Sequence, residues 1–507
     1  MQAPDPNPRP LDHLTLLGAG EDVALVTREG PLTYEGLEQR VGALAAALLD
    51  RGLAEGDRVA SWLPKTRMTC LLPLACARAG FIHVPINPLL KRAQVGHILA
   101  DSGAGLLISG ALRLASMRDG DRPQGCDAIV EEEGAAMLDW PGHAAPSAAE
   151  PDDLAALLYT SGSTGWPKGV MLTHANLWLG AVSVAHYLGL TREDVTLGVL
   201  PLSFDYGQSQ LLSSWAAGAS VVPIEYATPR DVIAAVRRHD VTTLAGVPPL
   251  WVQLVEASWP PEALVKLRRL TNSGGKLPAS IVRRMREMFP AAETYLMYGL
   301  TEAFRSTFLN PALVDEFPDS IGTAIPFAEV MVVRNDGSEA SAGEVGELVH
   351  AGPLVAKGYW QEPELTIERF RPAPRFSSFG GTAVWSGDLV RRDEHGLLYF
   401  VGREDAMIKT SGNRVSPTEV EDAAMATGLV AEAVALGYAD HRLGEAIALI
   451  VRPISAQEPP LETELRNTLK RELPNFMQPA AIVWRDELPR SPNGKIDRER
   501  LKSELMG

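Results

Sequence analysis

The sequence has 507 residues, of which 46% are hydrophobic and 22% charged, and its formal net charge is −16. This length exceeds one ordinary core, so two or three domains are expected. The composition is that of a globular chain rather than a disordered one. The negative charge argues against a nucleic-acid partner, which needs a basic face, and against docking on an anionic membrane. A small anionic ligand remains compatible, because a few local NH groups and cations suffice to hold one.

The chain contains three cysteines, Cys70, Cys76 and Cys126. They form no Cys-x-x-Cys pair, and their spacing suits neither a zinc site nor a disulfide framework. The first ten residues lack the apolar segment of a secretory signal, and no run of eighteen apolar residues marks a membrane span. These features predict a cytoplasmic protein without stable membrane insertion.

Helix and strand patterns alternate along the first two hundred residues, which is typical of an α/β fold. Residues 118–153 differ, because they are rich in Gly, Pro, Ala and acidic residues and carry little periodicity. We expect a surface connection there. The elements predicted around it are a helix at 32–54, a strand at 58–63, a helix at 66–79, strands at 84–87, 154–159 and 170–172, and a helix at 174–187.

The same alternation continues to about residue 310, and shorter β segments with turns follow at 320–402. A last unit, roughly 406–507, carries its own strands and helices. The predicted strands are 196–200, 220–224, 242–244, 269–273, 294–298, 432–436 and 446–451, and the predicted late helices are 417–426 and 462–473.

Residues 160–169 read Thr-Ser-Gly-Ser-Thr-Gly-Trp-Pro-Lys-Gly. Glycines allow the backbone to turn several NH groups inward, hydroxyls add donors, and Lys168 adds a positive charge, so the segment can grip phosphate oxygens. It is not a Walker A loop, because Lys168 precedes the glycine and Gly-Lys-Ser/Thr is absent. Taken alone, a Gly/Ser/Thr loop is equally compatible with a plain turn between two strands.

The ten-residue string resembles the phosphate-binding loop of the adenylate-forming enzymes, which include acyl-CoA synthetases, adenylation domains of peptide synthetases and luciferases. Further segments resemble the motifs of that family and occur in its order. They are Tyr298-Gly-Leu-Thr-Glu302, Trp385-Ser-Gly-Asp388, Gly402-Arg-Glu-Asp405, Ile408-Lys-Thr-Ser-Gly412, Pro417-Thr-Glu-Val-Glu421 and Pro492-Asn-Gly-Lys-Ile-Asp-Arg498.

This resemblance implies a nucleotide site for ATP and AMP. Within the loop it places the β- and γ-phosphates on Thr160, Ser161, Ser163, Thr164 and Lys168, with Gly162 and Gly165 shaping the turn. It places Tyr298 near adenine, Thr301 on the α-phosphate, Asp388 on the ribose hydroxyls and Arg403 on ribose or phosphate. The remaining expected nucleotide contacts are Gly274, Gly275 and Gly299.

The residues expected to support the chemistry are Lys495, Thr301 and Glu302. By resemblance, Glu302 is the Mg²⁺ ligand, since Mg²⁺ prefers oxygen ligands and substrate phosphates. A carboxylate that attacks the α-phosphorus builds negative charge, and the ammonium of Lys495 would stabilise that transition state more than the ground state.

The family's fold implies a large N-terminal domain, residues 1–404, made of α/β subdomains and a β-rich subdomain. A small, mobile α+β domain, residues 405–507, would carry Lys495 and rotate between the two half-reactions. Asp405 matches the hinge position, and Gly412 lies on the loop that would face an incoming pantetheine.

The acyl pocket implied by the resemblance leaves the identity of the acid open. Asp205 could hold an amino group of the substrate, as in amino-acid-activating members, or could simply cap a helix beginning near Gly207. Arg305 could pair with a second carboxylate or with Asp205, and both charges disfavour a long fatty acid. The predicted pocket residues are Phe204, Asp205, Ser209, Gly246, Thr271, Ser273, Met297 and Arg305.

The activity expected from the resemblance is that of an AMP-forming acid–thiol ligase with CoA as the acceptor. A stand-alone enzyme that loads an amino acid onto the pantetheine of a separate carrier protein is the alternative within the same chemistry. A luciferase-like oxygenase is a further alternative that nothing in the sequence specifically demands. Hydrolase motifs such as Gly-x-Ser-x-Gly and His-Glu-x-x-His are absent from the sequence.

Overall fold

The computed structural model describes residues 3–161, 167–403, 406–410, 413–440, 444–455 and 462–506. It is mixed α/β, with two helix-flanked, largely parallel sheets, an antiparallel β subdomain and a small C-terminal domain. The expected fold class is therefore confirmed. No helix among these residues is both long and apolar enough to cross a membrane.

The first sheet has six strands in the order β6-β5-β3-β4-β7-β8, and only the β7–β8 pair is antiparallel. Its elements, with β1 and β2 of the next sheet, are β1 (Val23–Thr27), β2 (Gly30–Thr33), α1 (Tyr34–Leu49), β3 (Arg58–Trp62), α2 (Arg67–Ala79), β4 (Ile82–Pro85), α3 (Arg92–Ser102), β5 (Leu106–Ser109), α4 (Ala111–Ser116), β6 (Asp127–Val130), α5 (Glu131–Ala136), β7 (Leu154–Ser161), β8 (Pro167–Thr173) and α6 (His174–Tyr187).

The second sheet has nine strands in the order β15-β14-β13-β12-β11-β9-β10-β1-β2. Strands β9 to β13 are mutually parallel, so their carboxyl ends meet at one edge. The elements are β9 (Val195–Gly198), α7 (Asp205–Ala216), β10 (Ser220–Pro223), α8 (Pro229–Arg238), β11 (Thr243–Gly246), α9 (Pro248–Glu256), α10 (Pro261–Leu264), β12 (Arg269–Asn272), α11 (Ala279–Met288), β13 (Glu293–Tyr298), β14 (Thr307–Phe308) and β15 (Thr323–Ala324).

The antiparallel subdomain orders its strands β16-β17-β19-β18, with β20 also paired to β19. The C-terminal sheet runs β22-β21-β24-β23, with β25 parallel to β24. Their elements are β16 (Glu329–Val333), β17 (Val345–Ala351), α12 (Pro363–Arg369), β18 (Phe370–Pro372), β19 (Thr382–Arg392), β20 (Leu398–Arg403), β21 (Ile408–Thr410), β22 (Asn413–Val415), α13 (Pro417–Ala426), β23 (Val430–Asp440), β24 (Gly444–Pro453), α14 (Glu462–Glu472), β25 (Ala481–Trp484) and α15 (Arg498–Met506).

The C-terminal part has a hydrophobic core of its own, drawn from residues 408–484. One much larger core runs through both helix-flanked sheets. Separate cores agree with two folding units. The expected boundary after residue 404 and the expected hinge residue Asp405 lie outside the described residues, so both stay predictions.

Two sequence expectations need correction. Residues 118–153 are more than a surface connection, because Asp127–Val130 forms an edge strand of the six-stranded sheet and Glu131–Ala136 forms a short helix. Only a few apolar side chains, such as Ile129, are buried there, which is why the segment shows little periodicity. The strand expected at 84–87 lies instead at Ile82–Pro85.

A buried ion cluster fastens the N-terminal segment to the helices. The Arg78 side chain has no exposed surface, and its Nε donates to Asp12 Oδ2 at 3.0 Å. Its Nη1 and Nη2 donate to the two carboxylate oxygens of Glu38 at 2.8 and 2.7 Å. Ser147 donates to Asp12 through its backbone NH and its hydroxyl, at 3.0 and 2.7 Å. The guanidinium thus joins the segments of Asp12 and Glu38 to α2, and Asp12 adds the segment of Ser147.

Replacing this arginine tests the cluster. Arg78→Met leaves Asp12 buried without a cation, so we expect the free energy of unfolding to fall by about 3 kcal/mol. The measurement is urea unfolding followed by tryptophan fluorescence. Arg237→Met is the matched control, because the Arg237–Glu262 pair, at 3.5 Å, has side chains 58% and 59% exposed and should contribute less than about 0.5 kcal/mol. Equal losses in the two variants would contradict a special role for Arg78.

Candidate active site

The expected phosphate-binding loop connects the ends of the β7–β8 hairpin. Thr160 lies directly opposite Lys168 in this antiparallel pair, and the next pair is Ser161 with Pro167. The hairpin therefore brings the first hydroxyl and the lysine of the motif to the same place. Gly162, Ser163, Thr164 and Gly165 lie outside the described residues, as does the side chain of Ser161.

A segment from the antiparallel subdomain lies along β8 and adds a tyrosine to this region. The Trp360 NH donates to the Gly169 carbonyl at 2.7 Å, and Tyr359 bridges to Val170. The Tyr359 hydroxyl donates to Glu302 Oε1 at 2.6 Å, while Lys168 Nζ lies 5.8 Å from the centre of its ring. Tyr359 therefore links the lysine and the carboxylate of two separate motifs.

Sequence reasoning missed Tyr359, because 57 residues separate it from Glu302 and no spacing relates them. Its position depends on the capping box of α6. Thr173 and Asn176 cap that helix reciprocally, and the Asn176 amide also donates to the carbonyls of Pro353 and Val355 at 2.9 and 3.1 Å. The Asn176 side chain therefore holds both the start of α6 and the segment that leads to Tyr359.

The turn after β13 carries Thr301 and Glu302 and ends in a strained residue. Phe304 has φ 57° and ψ −63°, a conformation that costs a non-glycine residue about 1–3 kcal/mol. Its ring is buried against Gly180 of α6, where an added Cβ would lie 2.4 Å from Phe304 Cδ1. The kink lets Glu302 face Tyr359 while Arg305, three residues on, enters the interior.

The carboxylate of Glu302 suits a Mg²⁺ ion that is bound together with phosphate. Among the residues that the structure describes, no group of three or more His, Cys, Asp or Glu side chains could hold a metal ion. A single carboxylate fits Mg²⁺ that takes its other ligands from phosphate oxygens and water. The chain's donor set therefore suits a metal that arrives with a nucleotide rather than a resident all-protein site.

Tyr298 and Asp388 meet between the nine-stranded sheet and the antiparallel subdomain. The Tyr298 hydroxyl donates to Asp388 Oδ2, and its ring lies 6.4 Å from that of Phe400. Arg403 is the cross-strand partner of Asp388, with its Nη1 3.4 Å from Oδ1. Burial raises the pKa of the Asp388 carboxyl, and the Arg403 charge offsets part of that effect.

The Asp388 carboxylate still has capacity to accept a ligand hydroxyl. Its Oδ1 is buried and accepts no hydrogen bond from the described residues. A buried acceptor without a donor is costly, and hydroxyl donors such as those of a ribose would satisfy it. The arrangement is consistent with the role that the motif implies for Asp388.

Lys495 reaches the cleft from the C-terminal domain. Its Nζ lies 5.1 Å from the centre of the Phe204 ring. Gly274 has φ 79°, and a Cβ there would lie 3.2 Å from Lys495 Cε, so a side chain at this position would crowd the lysine. Desolvation by surrounding protein atoms lowers the pKa of the Lys495 ammonium, and the nearby Asp205 carboxylate offsets part of that shift.

Contacts between the domains hold Lys495 in this position. The Asn87 amide donates to Pro492 O at 3.1 Å and to Asn493 Oδ1 at 2.9 Å. Lys276, next to the Gly274–Gly275 pair, forms an ion pair with Asp422 at 2.5 Å. The C-terminal domain is therefore docked with its lysine loop against the cleft beside Phe204 and Gly274. Gly412, expected on the loop that would face an incoming pantetheine, lies outside the described residues.

A small cavity beside α7 contains part of the expected acyl pocket. Phe204, Asp205 and Ser273 are not in its lining, whereas Ser209, Thr271, Met297 and Arg305 line it. Gly246 does not, because it packs against Trp251, whose Nε1 would lie 2.9 Å from a Cβ there, and its neighbour Ala245 lines the cavity instead. Sequence reasoning also missed the polar lining residues Thr196, Tyr206, Gln210, Ser213 and Thr243.

Asp205 is the first residue of α7 and not its cap. Phe204 occupies the N-cap position, and no side chain caps this helix, so the capping hypothesis is wrong. The Asp205 side chain is 5% exposed and lies 4.0 Å from Arg305 Nη1. Burial raises the pKa of its carboxyl, while the charges of Arg305 and Lys495 act in the opposite direction.

Two protein-family models match this chain. A family model described as AMP-binding enzyme matches residues 17–360, and one described as AMP-binding enzyme C-terminal domain matches residues 419–495. The chain is 31% identical to tyrocidine synthase 2 of Brevibacillus parabrevis over 95% of its own length, but it spans only 13% of that protein.

Two further comparisons cover nearly whole chains. An L-proline–[L-prolyl-carrier protein] ligase of Streptomyces coelicolor is 33% identical, over 93% of this chain and 92% of that protein. The solved structure of an O-succinylbenzoate coenzyme A synthetase from Bacillus subtilis, in complex with ATP and a magnesium ion, is 27% identical. It superposes with a TM-score of 0.82 over 98% of this chain and 99% of that one.

The Tyr359–Glu302 hydrogen bond predicts a metal-dependent phenotype. Tyr359→Phe should raise the Mg²⁺ concentration needed for half-maximal ATP–pyrophosphate exchange about tenfold, because a hydrogen bond to a charged group contributes about 1.5 kcal/mol. Tyr295→Phe is the matched control, since Tyr295 donates to Glu293 at 2.9 Å at the other end of β13. An unchanged Mg²⁺ requirement in Tyr359→Phe would show that Tyr359 does not contribute to the metal site.

Proposed function

We propose that this chain, which belongs to the family of AMP-binding enzymes, joins a carboxylic acid to the thiol of CoA. ATP is the cosubstrate and AMP is a product. The chain is an ATP-dependent, AMP-forming ligase. The observation that carries the adenylate-forming step of the proposal is the position of Lys495, inserted from the C-terminal domain beside Phe204 and Gly274.

The reaction has two steps. In the first, an oxygen of the acid's carboxylate attacks the α-phosphorus of ATP, and the bond to the bridging oxygen breaks to release pyrophosphate. In the second, the thiol sulfur attacks the carbonyl carbon of the acyl-adenylate, AMP leaves, and the thiol proton passes to solvent. Holding the two reactants together removes much of the entropic barrier of the first step.

We assign the nucleotide to the groups that the fold collects at the cleft. Thr160, Lys168 and the hydroxyls of the hairpin loop hold the β- and γ-phosphates, and Thr301 contacts the α-phosphate. Asp388 and Arg403 bind the ribose side, with Tyr298 next to them. Mg²⁺ at Glu302, when bound, neutralises charge that develops on the phosphate oxygens.

Lys495 supplies the charge for adenylate formation. As the carboxylate attacks, negative charge grows on the oxygens between the acid and the α-phosphorus, and a nearby ammonium stabilises that state most. The lowered pKa of Lys495 is compatible with this role because an anionic phosphate next to it favours the protonated form. Rotation about Asp405 would then withdraw the lysine and present the Gly412 loop to the thiol.

The acid is proposed to be polar or amino-bearing rather than a long fatty acid. Asp205 and Arg305 are both nearly inaccessible to solvent, at 4% and 1% exposure. Burying a hydrocarbon chain against them would leave both charges poorly paired. A substrate with polar groups of its own avoids that cost.

A separate carrier protein is the second candidate acceptor. The Phe204–Asp205 pair and the 33% identity with an L-proline–[L-prolyl-carrier protein] ligase favour it. ATP–pyrophosphate exchange over a panel of acids, followed by mass measurement of products formed with CoA or with a phosphopantetheinylated carrier protein, separates the two. Exchange that depends on an amino acid and yields no CoA thioester would refute the first candidate.

Lys495→Ala tests the position of the lysine. Adenylate formation should fall at least about 100-fold, since a single transition-state charge partner contributes on that scale. Thioester formation from a supplied acyl-adenylate should be retained, because the lysine acts only in the first step. Lys502→Ala, on the exposed C-terminal helix, is the control and should leave both half-reactions unchanged. An equal loss of both half-reactions in Lys495→Ala would contradict domain rotation.

Asp205→Ala tests the amino-group hypothesis. If Asp205 pairs with an amino group of the acid, the variant should lose kcat/KM about 100-fold for an amino acid and much less for its deaminated analogue. The measurement is pyrophosphate exchange with both acids, at matched thermal stability. An equal fold-loss of kcat/KM for the two acids would show that Asp205 only positions Arg305.

A further inference from the structure

Arg305 is one of the largest fully buried side chains of the protein, with 1% of its surface exposed. Its Nη1 donates to Ser273 Oγ at 2.9 Å and lies 4.0 Å from Asp205 Oδ2. The guanidinium carbon sits 4.7 Å above the centre of the Tyr206 ring. One nitrogen and one face of the guanidinium are thus occupied by the protein.

The other edge of the guanidinium has no partner among the described residues. Nε and Nη2 are both buried and make no hydrogen bond. In a planar guanidinium these two nitrogens point the same way, and their spacing matches the two oxygens of a carboxylate. Leaving such donors unpaired in the interior is costly, and the nearest anion, Asp205, is 4.0 Å away on the Nη1 side.

We propose that the acid activated here carries a second carboxylate, which binds in bidentate fashion to the Nε–Nη2 edge of Arg305. The inference rests on the proposed function and names the substrate class for its acyl pocket. Arg305 is thereby a specificity-determining residue that contacts the far end of the acid, while Lys495 faces the reacting carboxylate.

The lining of the cavity beside Arg305 agrees with a polar acid. The Thr196 and Thr243 hydroxyls and the Gln210 amide, which line it, have no hydrogen-bond partner among the described residues. An apolar chain would bury these groups unpaired, whereas a carboxylate can accept from hydroxyl and amide donors.

Charge pairing narrows the class further. Lys495 and Arg305 are cations and Asp205 is an anion; burial raises the pKa of the Asp205 carboxyl, and the charges of Arg305 and Lys495 act in the opposite direction. A dicarboxylic acid pairs with both cations but leaves Asp205 facing negative charge. An acid with two carboxylates and one amino group would pair all three, so amino-dicarboxylic acids are the members of the class with the best match.

The test is ATP–pyrophosphate exchange with matched sets of acids of equal length. Each set contains a dicarboxylic acid, its half-amide and its methyl-ended monocarboxylic analogue, with and without an α-amino group. The wild-type enzyme should favour a second carboxylate over both neutral ends by about 100-fold in kcat/KM. A preference for a neutral end would overturn the proposal.

The variants Arg305→Met and Arg305→Lys test whether Arg305 causes the preference for a second carboxylate. Arg305→Met should reverse the preference toward the methyl-ended acid, and Arg305→Lys should be intermediate, since it keeps the charge and loses the bidentate fork. Arg269→Met is the control, because Arg269 is a structural partner of Asp194 at 2.7 Å and should leave the ratio between acids unchanged. A ratio that Arg305→Met does not move would also overturn the proposal.

Different exchange results would refute the second-carboxylate inference and the proposed function. Exchange with monocarboxylic or simple amino acids but not with any second carboxylate refutes the inference and keeps the proposed function. Absence of exchange with every acid tested refutes both, since the inference depends on adenylate formation. If Arg305→Met does not fold, the wild-type ranking of the matched acids decides the question.

Discussion

The active-site cleft depends on one geometric constraint, which is that neighbouring parallel strands end at the same edge of a sheet. Strands β9, β11, β12 and β13 are parallel neighbours, so the loops that follow them meet. Those loops carry Phe204–Asp205, Val247, Ser273–Gly274 and Tyr298–Arg305 in turn. Residues a hundred positions apart therefore face one cleft without any local sequence relationship between them.

A second constraint is that charge removed from water must be paired. Arg78 meets it within the protein, through Asp12 and Glu38, and so fastens the fold. Arg305 meets it only in part, because one edge of its guanidinium has no protein partner. The difference between these two buried arginines separates a structural ion cluster from a site that is completed by a ligand.

The docked position of the C-terminal domain supplies what the large domain lacks. The cleft by itself presents carboxylates and hydroxyls, with Lys168 at its proposed phosphate end and Arg305 in the proposed acyl pocket. Lys495 adds a cation near the junction between them, held there by contacts such as Asn87 with Asn493 and Lys276 with Asp422. Because both of these contacts are polar, the docked arrangement is one that a hinge could release.

The sequence by itself determined the alternation of helices and strands, the β-rich stretch after residue 320 and the order of the motifs, because each of these depends on local periodicity or on short strings of residues. It placed Lys168, Glu302, Asp388 and Lys495 in one family pattern. It could not find Tyr359, since that residue reaches Glu302 only through pairing with β8.

Only the tertiary structure decided how the charges of the acyl pocket are arranged. The structure places Asp205 in the first turn of α7 and not at the helix cap. Ala245 and not Gly246 lines the cavity, and Nε and Nη2 of Arg305 have no hydrogen-bond partner among the described residues. The physical reason is that burial, hydrogen-bond satisfaction and the direction of a guanidinium edge are properties of packed neighbours, and no single segment of the chain contains them.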